Sequence, residues 1–198
     1  MKSLIGTLVT IALLSGCAFS TISRFSAEDA EGKENIVSNS SFDMVDEGSN
    51  MPQGWVVLNE QENNIIWDDE SHDDEGKCLK VENTNDTANL VSDGFNIDPQ
   101  SVYYSRCYIK TNKTSEEPVI MHFIAFDRNG KKVNDYKKEV AVEEDWTLVE
   151  LTTGFFDNSA TLARIAVSIP EGSDDTSYWV DDIESYNVHK FAYRYQTN

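Results

Sequence analysis

Ala163-Arg164-Ile165-Ala166-Val167-Ser168-Ile169, then an acidic turn, then Tyr178-Trp179-Val180-Asp181-Asp182-Ile183: these two runs near the end of the chain decide its fold. In the first, Ala163, Ile165, Val167 and Ile169 fall on one face and Arg164, Ala166 and Ser168 on the other, the period of a half-buried strand. Pro170-Glu171-Gly172-Ser173-Asp174-Asp175, between the runs, is rich in turn-forming residues. The second run alternates too, with Trp179, Asp181 and Ile183 on one side. That parity aligns a carboxylate with a Trp and an Ile, and a carboxylate among apolar neighbours needs a partner or a metal. The two runs read as a hairpin, the last two core strands of a β-sandwich, carrying a cation ligand.

Working back from this hairpin, the same short-strand pattern recurs. It is seen at Glu34 to Val37, Trp55 to Val57, around Ile65-Ile66-Trp67, at Cys78 to Glu82, Leu90-Val91 and Phe95 to Ile97. Longer strands follow at Val102 to Thr111 and Val119 to Phe126, then Val133 to Val142 and Trp146 to Leu151. Asp127-Arg128-Asn129-Gly130 is a tight hairpin signal. No long stretch has helical periodicity, so the fold class is all-β, a β-sandwich jelly roll. The domain is expected over 34–190, with a flexible tether at 17–33, a leader at 1–16 and a tail at 191–198.

A chain of 198 residues makes one domain with a substantial core. Its 35 Asp and Glu against 16 Lys and Arg give a formal net charge of −19. Nucleic acid is excluded as a partner on this ground, because phosphate binding needs a basic patch and no Lys or Arg run supplies one. The acidity suits an extracellular surface, or one that collects divalent cations.

The amino terminus reads as a targeting segment. Lys2 supplies positive charge, Leu4 to Leu14 an apolar run too short to span a bilayer comfortably, and Leu14-Ser15-Gly16-Cys17 a cleavage region. L-S-G-C resembles the bacterial lipoprotein box, which implies lipidation of Cys17 and tethering to a membrane through that anchor alone. Ala18, where some such lipoproteins carry an Asp that retains them at the inner membrane, points to the outer membrane or cell surface of a bacterium. The other two cysteines are expected on opposite faces of their strands, Cys78 outward and Cys107 inward, hence unpaired.

An ordered set of fragments carries a second resemblance. N-S-S-F-D at Asn39 to Asp43 is followed by G-W at Gly54-Trp55, G-K-C-L-K-V at Gly76 to Val81 and Y-Y-S-R-C-Y-I-K-T at Tyr103 to Thr111. F-I-A-F-D-R-N-G, W-T-L-V, A-R-I and Y-W-V-D-D-I complete the order. Together they resemble the carbohydrate-binding modules of families four, nine and twenty-two, which are galactose-binding-like jelly rolls. The resemblance implies a structural calcium ion held by Asp43 and by Asp181 or Asp182, with main-chain oxygen help near Lys77. Calcium takes about six to eight hard oxygen ligands, and these would join the two ends of the sandwich. Asp43 stands where the family more often has the longer Glu. The acidic loop from Asp68 to Gly76 lacks EF-hand spacing and reads as solvated.

Strand parity also proposes a ligand face. In Val102 to Thr111 the inward set is Ser105, Cys107 and Ile109, which leaves Tyr104, Arg106 and Tyr108 outside. In Val119 to Phe126 it leaves His122, Ile124 and Phe126 outside. If Asn112 to Pro118 is a hairpin connection, these side chains share one sheet surface, with Trp67 joining from the rim. Rings interleaved with Arg and His suit a polysaccharide or oligosaccharide; the alternative is a second packed layer. Trp55, Trp146 and Trp179 are assigned to the core. No nucleophile elbow and no H-E-x-x-H motif accompany His72, His122 or His189. The chain therefore reads as a non-catalytic, membrane-tethered binding protein, with a protein partner at the cell surface as the rival and a hydrolase as a remote third.

Overall fold

A computed structural model describes residues 25–45, 51–58, 64–73, 76–82, 86–115, 117–172 and 175–191. One short helix, α1 (Ala27–Ala30), precedes eleven strands: β1 (Trp55–Leu58), β2 (Asn64–Asp68), β3 (Cys78–Glu82), β4 (Ala88–Ser92), β5 (Phe95–Asn96) and β6 (Ser101–Thr111). Then come β7 (Val119–Phe126), β8 (Lys132–Val140), β9 (Thr147–Thr152), β10 (Leu162–Ile169) and β11 (Ser177–Lys190). The strands form two antiparallel sheets packed face to face, a β-sandwich of jelly-roll type. The first has the order β1-β4-β10-β7-β8, with β5 beside β10; the second has the order β2-β3-β11-β6-β9.

Alternation in β10 is as expected: Ala163, Ile165, Val167 and Ile169 are fully buried. The pairing is not. β10 is the centre of the first sheet and β11 the centre of the second, so the two runs face each other across the core rather than forming a hairpin. The same correction applies to β6 and β7, which the sequence placed side by side. They lie in opposite sheets, and residues 112–118 cross between them. The reason is physical. Each strand has one apolar face, and packing two such faces against each other buries them as well as pairing the strands would. Seven connecting residues easily span the ~10 Å between sheets.

β11 departs from simple parity. Tyr178 and Val180 point into the core, so Trp179 and Asp181 point outward. Opposite Cys107 stand two residues, Asp182 and Ile183, because the register shifts between Asp181↔Tyr108 and Glu184↔Arg106. Asp182 has φ 47, the left-handed region a bulge residue adopts. The extra residue returns Ile183 to the core, fully buried. Asp181 thus shares a face with Trp179 but not with Ile183.

The interior holds a cluster of aromatic rings. Phe123 is within 5.4–5.8 Å, ring centre to ring centre, of Tyr103, Phe156 and Phe95. Such rings dominate core burial and add edge or tilted contacts. The cysteines are both free: Cys107 packs in the core beside Met121, and Cys78 faces outward under the loop that follows β2. Burial pushes the Cys78 thiol up to about 12 and raises that of Cys107 as well.

Residues 25–33, expected in the tether, lie on the outside of the second sheet. Ala30 of α1 packs on Tyr104 and Tyr186, and the Thr152 hydroxyl donates to the Phe25 carbonyl at 3.2 Å. Two outward tyrosines on neighbouring strands make an apolar seat, and the chain covers it. The leader, Cys17 and residues 192–198 lie outside the described residues.

Candidate functional site

The proposed ligand residues are distributed over two outward faces and the core edge. On the second sheet, Tyr104, Arg106 and Tyr108 do point away from the core, as their parity requires. Tyr104 and Tyr108 are nevertheless roofed, while Arg106 is part-exposed. Tyr104 is 0% exposed beneath α1, and its hydroxyl donates to Glu150 Oε1 at 2.8 Å. Arg106 is paired with Glu184. Tyr108 lies under the His72 ring, with centroids 3.4 Å apart and planes 15° from parallel. Trp67 belongs to neither face: it packs against the core cluster and donates its indole N–H to the Phe42 carbonyl at 2.8 Å.

His72 is carried there by the segment after β2, whose Asp69, Glu70 and Asp73 are exposed as expected but which is also anchored at several points. Glu70 pairs with Lys110, Lys77 with Asp69, and Ser71 is buried. The His72 backbone N–H donates to Asp181 Oδ2 at 2.8 Å, and its ring Nδ1 stands 3.3 Å from Asp182 Oδ2. Beside it, Lys110 lies over both Trp146 and Trp179, and Lys80 over Trp179. Trp179 and Trp146 are thus parts of this lidded layer, not of the core. Alternating rings and ammonium groups are held together by cation–π attraction. The bland expectation for aromatic residues on this face, a second packed layer, is what the side chains do.

Asp181 is buried in the same layer. Burial raises its carboxyl to about 7, with the neighbouring charges of Asp182 and Asp73 adding to the rise, against the N–H groups of His72 and Asp182 that favour ionisation. Burial also raises Asp182, next to Glu184 and Asp73. As a calcium cage the three named carboxylates are incomplete. Among the described residues no three His, Cys, Asp or Glu side chains converge on a common point. Asp43 accepts from the Ser41 hydroxyl and lies against Gly76, while Asp181 takes two backbone N–H groups. Two segments are nonetheless brought together, because Ile183 N–H donates to the Ser40 carbonyl at 3.0 Å. Any cation there would rest on Asp43, Asp182 and main-chain oxygens.

The outward face of the first sheet is different in kind. Its edge residues Val56 and Leu58 are 49% and 50% exposed. Register fixes the rows that run across it. One row is Leu58, Asn89, Ser168, Ile120 and Glu139; the next is Val56, Val91, Ala166, His122 and Lys137. A third holds Arg164, Ile124 and Asp135, with Phe126 beyond, opposite Leu162. His122 and Phe126 are therefore on this face, away from Tyr104, Arg106 and Tyr108.

A polar chain crosses these rows. The Ser168 hydroxyl donates to Asn89 Oδ1 at 2.6 Å and stands 3.4 Å from His122 Nε2, while His122 Nδ1 is 3.0 Å from Asp135 Oδ1. Although burial opposes it, hydrogen bonds from His122 and Lys132 hold the Asp135 carboxyl below its ordinary value, so it is ionised at neutral pH. An ionised Asp135 favours the proton on Nδ1, which leaves Nε2 as an acceptor. The Ser168 proton goes to the nearer acceptor, Asn89 Oδ1, so Nε2, on a side chain 12% exposed, takes no proton from Ser168. The order Ser, His, Asp has the connectivity of an acyl-transfer triad, but Ser168 does not donate to the imidazole. Strand backbone around it is spent on the sheet ladder, which leaves no N–H pair to receive an oxyanion. Asn89, Ser168 and Asp135 were not singled out from the sequence. Only the outward parity of Ser168 hinted at them.

No family model matches the chain, and no curated protein matches it in sequence. Solved structures match it in fold. The enzymatically active domain of bacteriophage CBA120 tailspike protein 4 does so with a TM-score of 0.62 at 12% identity, over 77% of this chain and 21% of that one. A family 16 carbohydrate-binding module-2 gives 0.55 at 14% identity, over 76% of this chain and 99% of the module. The CBM22-1 xylan-binding domain from Paenibacillus barcinonensis Xyn10C gives 0.53 at 15%, over 80% and 97%. The chain thus spans about a fifth of the tailspike domain and 26% of the α-L-arabinofuranosidase MgGH51, but nearly all of the two modules. At such identities the likeness concerns architecture alone: this is a β-sandwich of the kind found in carbohydrate-binding modules.

Proposed function

We propose that this domain binds polysaccharide, without catalysis, on the outward face of the first sheet, and that Cys17 anchors it to the outer membrane or surface of a bacterium. The observation that carries the binding reading is the Asn89–Ser168–His122–Asp135 chain set among Val56, Val91, Ile120 and Ile124. Sugars present alternating hydroxyl edges and CH patches, and this face offers hydrogen-bonding groups between aliphatic strips. The two modules matched over nearly their full length, one described as xylan-binding, support a sugar over a protein partner. Support for the anchor is the sequence L-S-G-C alone.

Retention on insoluble polysaccharides and a glycan array, using the full chain, test the reading. His122→Ala removes the acceptor and leaves Ser168 and Asp135 without their shared neighbour. Losing one neutral hydrogen bond of about 0.5–1.5 kcal/mol corresponds to roughly two- to tenfold in affinity. Arg106→Ala, on the roofed face, should leave affinity unchanged. The opposite pattern would return the site to the second sheet. No retention on any glycan, together with a stable protein partner, would replace polysaccharide by protein as the ligand.

A further inference from the structure

One end of the sandwich carries a surface ladder of aromatic rings that the sugar-binding reading does not use. Phe155 and Phe191 stack with centroids 4.7 Å apart; Phe191 meets His189 edge-on at 5.2 Å; His189 stacks on Phe25 at 5.5 Å. Phe155 is 58% exposed, the most exposed large apolar side chain among the described residues, and His189 is exposed beside it. Their backbones are fixed: the Tyr136 hydroxyl donates to the Phe155 carbonyl, Phe191 N–H to Gln100, and Thr152 to Phe25. An exposed patch of this kind marks an interaction surface.

What covers it is indicated by where the chain enters. Phe25 is eight residues after Cys17, a reach of at most about 3.3–3.6 Å per residue, or under ~30 Å. A lipid on Cys17 would therefore hold the patch within that distance of the bilayer. Strand pairing puts the β7–β8 turn at the same end, where Arg128 and Lys131 stand with Asp127 and Asp157 while Lys132 and Lys190 pair with Asp135 and Asp98, so its basic groups are matched by acids. Glu117, Glu143, Glu144, Glu171 and Asp175 are carried by connections at the opposite end.

We infer that the Phe25–His189–Phe191–Phe155 ladder seats on the headgroup layer of the membrane to which the chain is anchored, setting the sandwich upright with its sugar face turned sideways and its acidic end outward. The inference rests on the reading of Cys17 as the anchor. Rings at an interface gain from partial burial in the headgroup region. The net charge of −19 selects a zwitterionic surface over an anionic one.

The test uses the full chain, processed in a bacterial host and reconstituted in phosphatidylcholine vesicles, with nitroxide labels. Cys78 and Cys107 are buried with raised thiols, so they resist labelling. Asn158→Cys reports on the Phe155 loop without removing a ring, and Glu171→Cys reports on the far end. The label at 158 should show a severalfold higher ratio of oxygen to nickel-chelate accessibility than the label at 171. Adding Phe155→Ser with Phe191→Ser should erase the difference. Equal aqueous exposure at both sites on an acylated chain overturns the inference, as does immersion that survives the double substitution. Spin–spin broadening at 158 would assign the ladder to a second copy of the chain instead. Mass spectrometry of the product separates the two readings, since an unacylated Cys17 overturns the anchor itself and the seating with it.

Discussion

Two oxygens of Asp181 are satisfied by the N–H groups of His72 and Asp182, yet its carboxyl is raised, because the side chain is 2% exposed and shares its surroundings with Asp182 and Asp73. A carboxyl raised from 3.8 to about 7 binds a proton in the folded state that the unfolded chain has already released. Its contribution to stability is present in full below pH 4 and is lost as the pH climbs to about 7. By linkage the loss is at most roughly 4 kcal/mol. In chelator, urea midpoints should therefore fall between pH 4 and 7 in the native chain, and Asp181→Asn should flatten that segment. The amide retains one acceptor for two N–H donors, so the variant should also begin about 1 kcal/mol lower at pH 4. An unchanged slope in Asp181→Asn would show that other carboxyls govern the range. At this scale the sequence was informative: the D-D pair and its apolar neighbours identified a carboxylate under constraint. It could not show that backbone N–H groups from a loop 109 positions away would be the partners.

Elements were legible by parity and misread where parity was interrupted. The faces of β6, β7 and β10 follow their alternation, and the same rule separated Cys78 from Cys107. β11 broke the rule at Asp182, because a bulge adds a residue without a signature that a period of two can detect. Composition marks the Asp68 to Gly76 loop as acidic and solvated but does not register what a single His in it can do. That His72 holds the loop down can be measured. Its stacking on Tyr108 should show as a coupling of about 0.5–1.5 kcal/mol in a cycle of His72→Ala and Tyr108→Ala. Both single variants should speed proteolysis within residues 68–77 while leaving the core intact, because local opening needs only the latch to be lost. Additive effects and an unchanged cleavage rate would mean that the Glu70–Lys110 and Lys77–Asp69 pairs suffice.

For the whole molecule, the sequence supplied the class and not the partition. Recurrent alternating runs and the order of eight fragments point to a jelly roll, but which strand joins which sheet depends on long-range pairing. The stretch from Asn112 to Pro118 has the length of a hairpin loop and serves as a crossing between sheets. Moving β7 to the other sheet divided the expected ligand set and put His122 beside Ser168 and Asn89, 46 and 33 positions away. A last question at this scale is what joins the two ends of the chain. The Ser40–Ile183 bond sets the Asn39 to Asp43 turn against the Asp182 bulge, and Gly76 lies so near Asp43 that a Cβ there would come within 2.7 Å of Oδ1. We propose that calcium bridges Asp43, Asp182 and neighbouring main-chain oxygens, which would also relieve the crowding of Asp181, Asp182 and Asp73. A ligand confined to the folded state raises the melting temperature by mass action, so the chain should melt higher in millimolar calcium than in chelator. Asp43→Ala and Asp182→Ala should each remove that difference, whereas Asp69→Ala, on the exposed part of the loop, should not. Identical melting curves in calcium and chelator, with no metal in the purified protein, would leave the Ser40–Ile183 bond as the clasp without an ion.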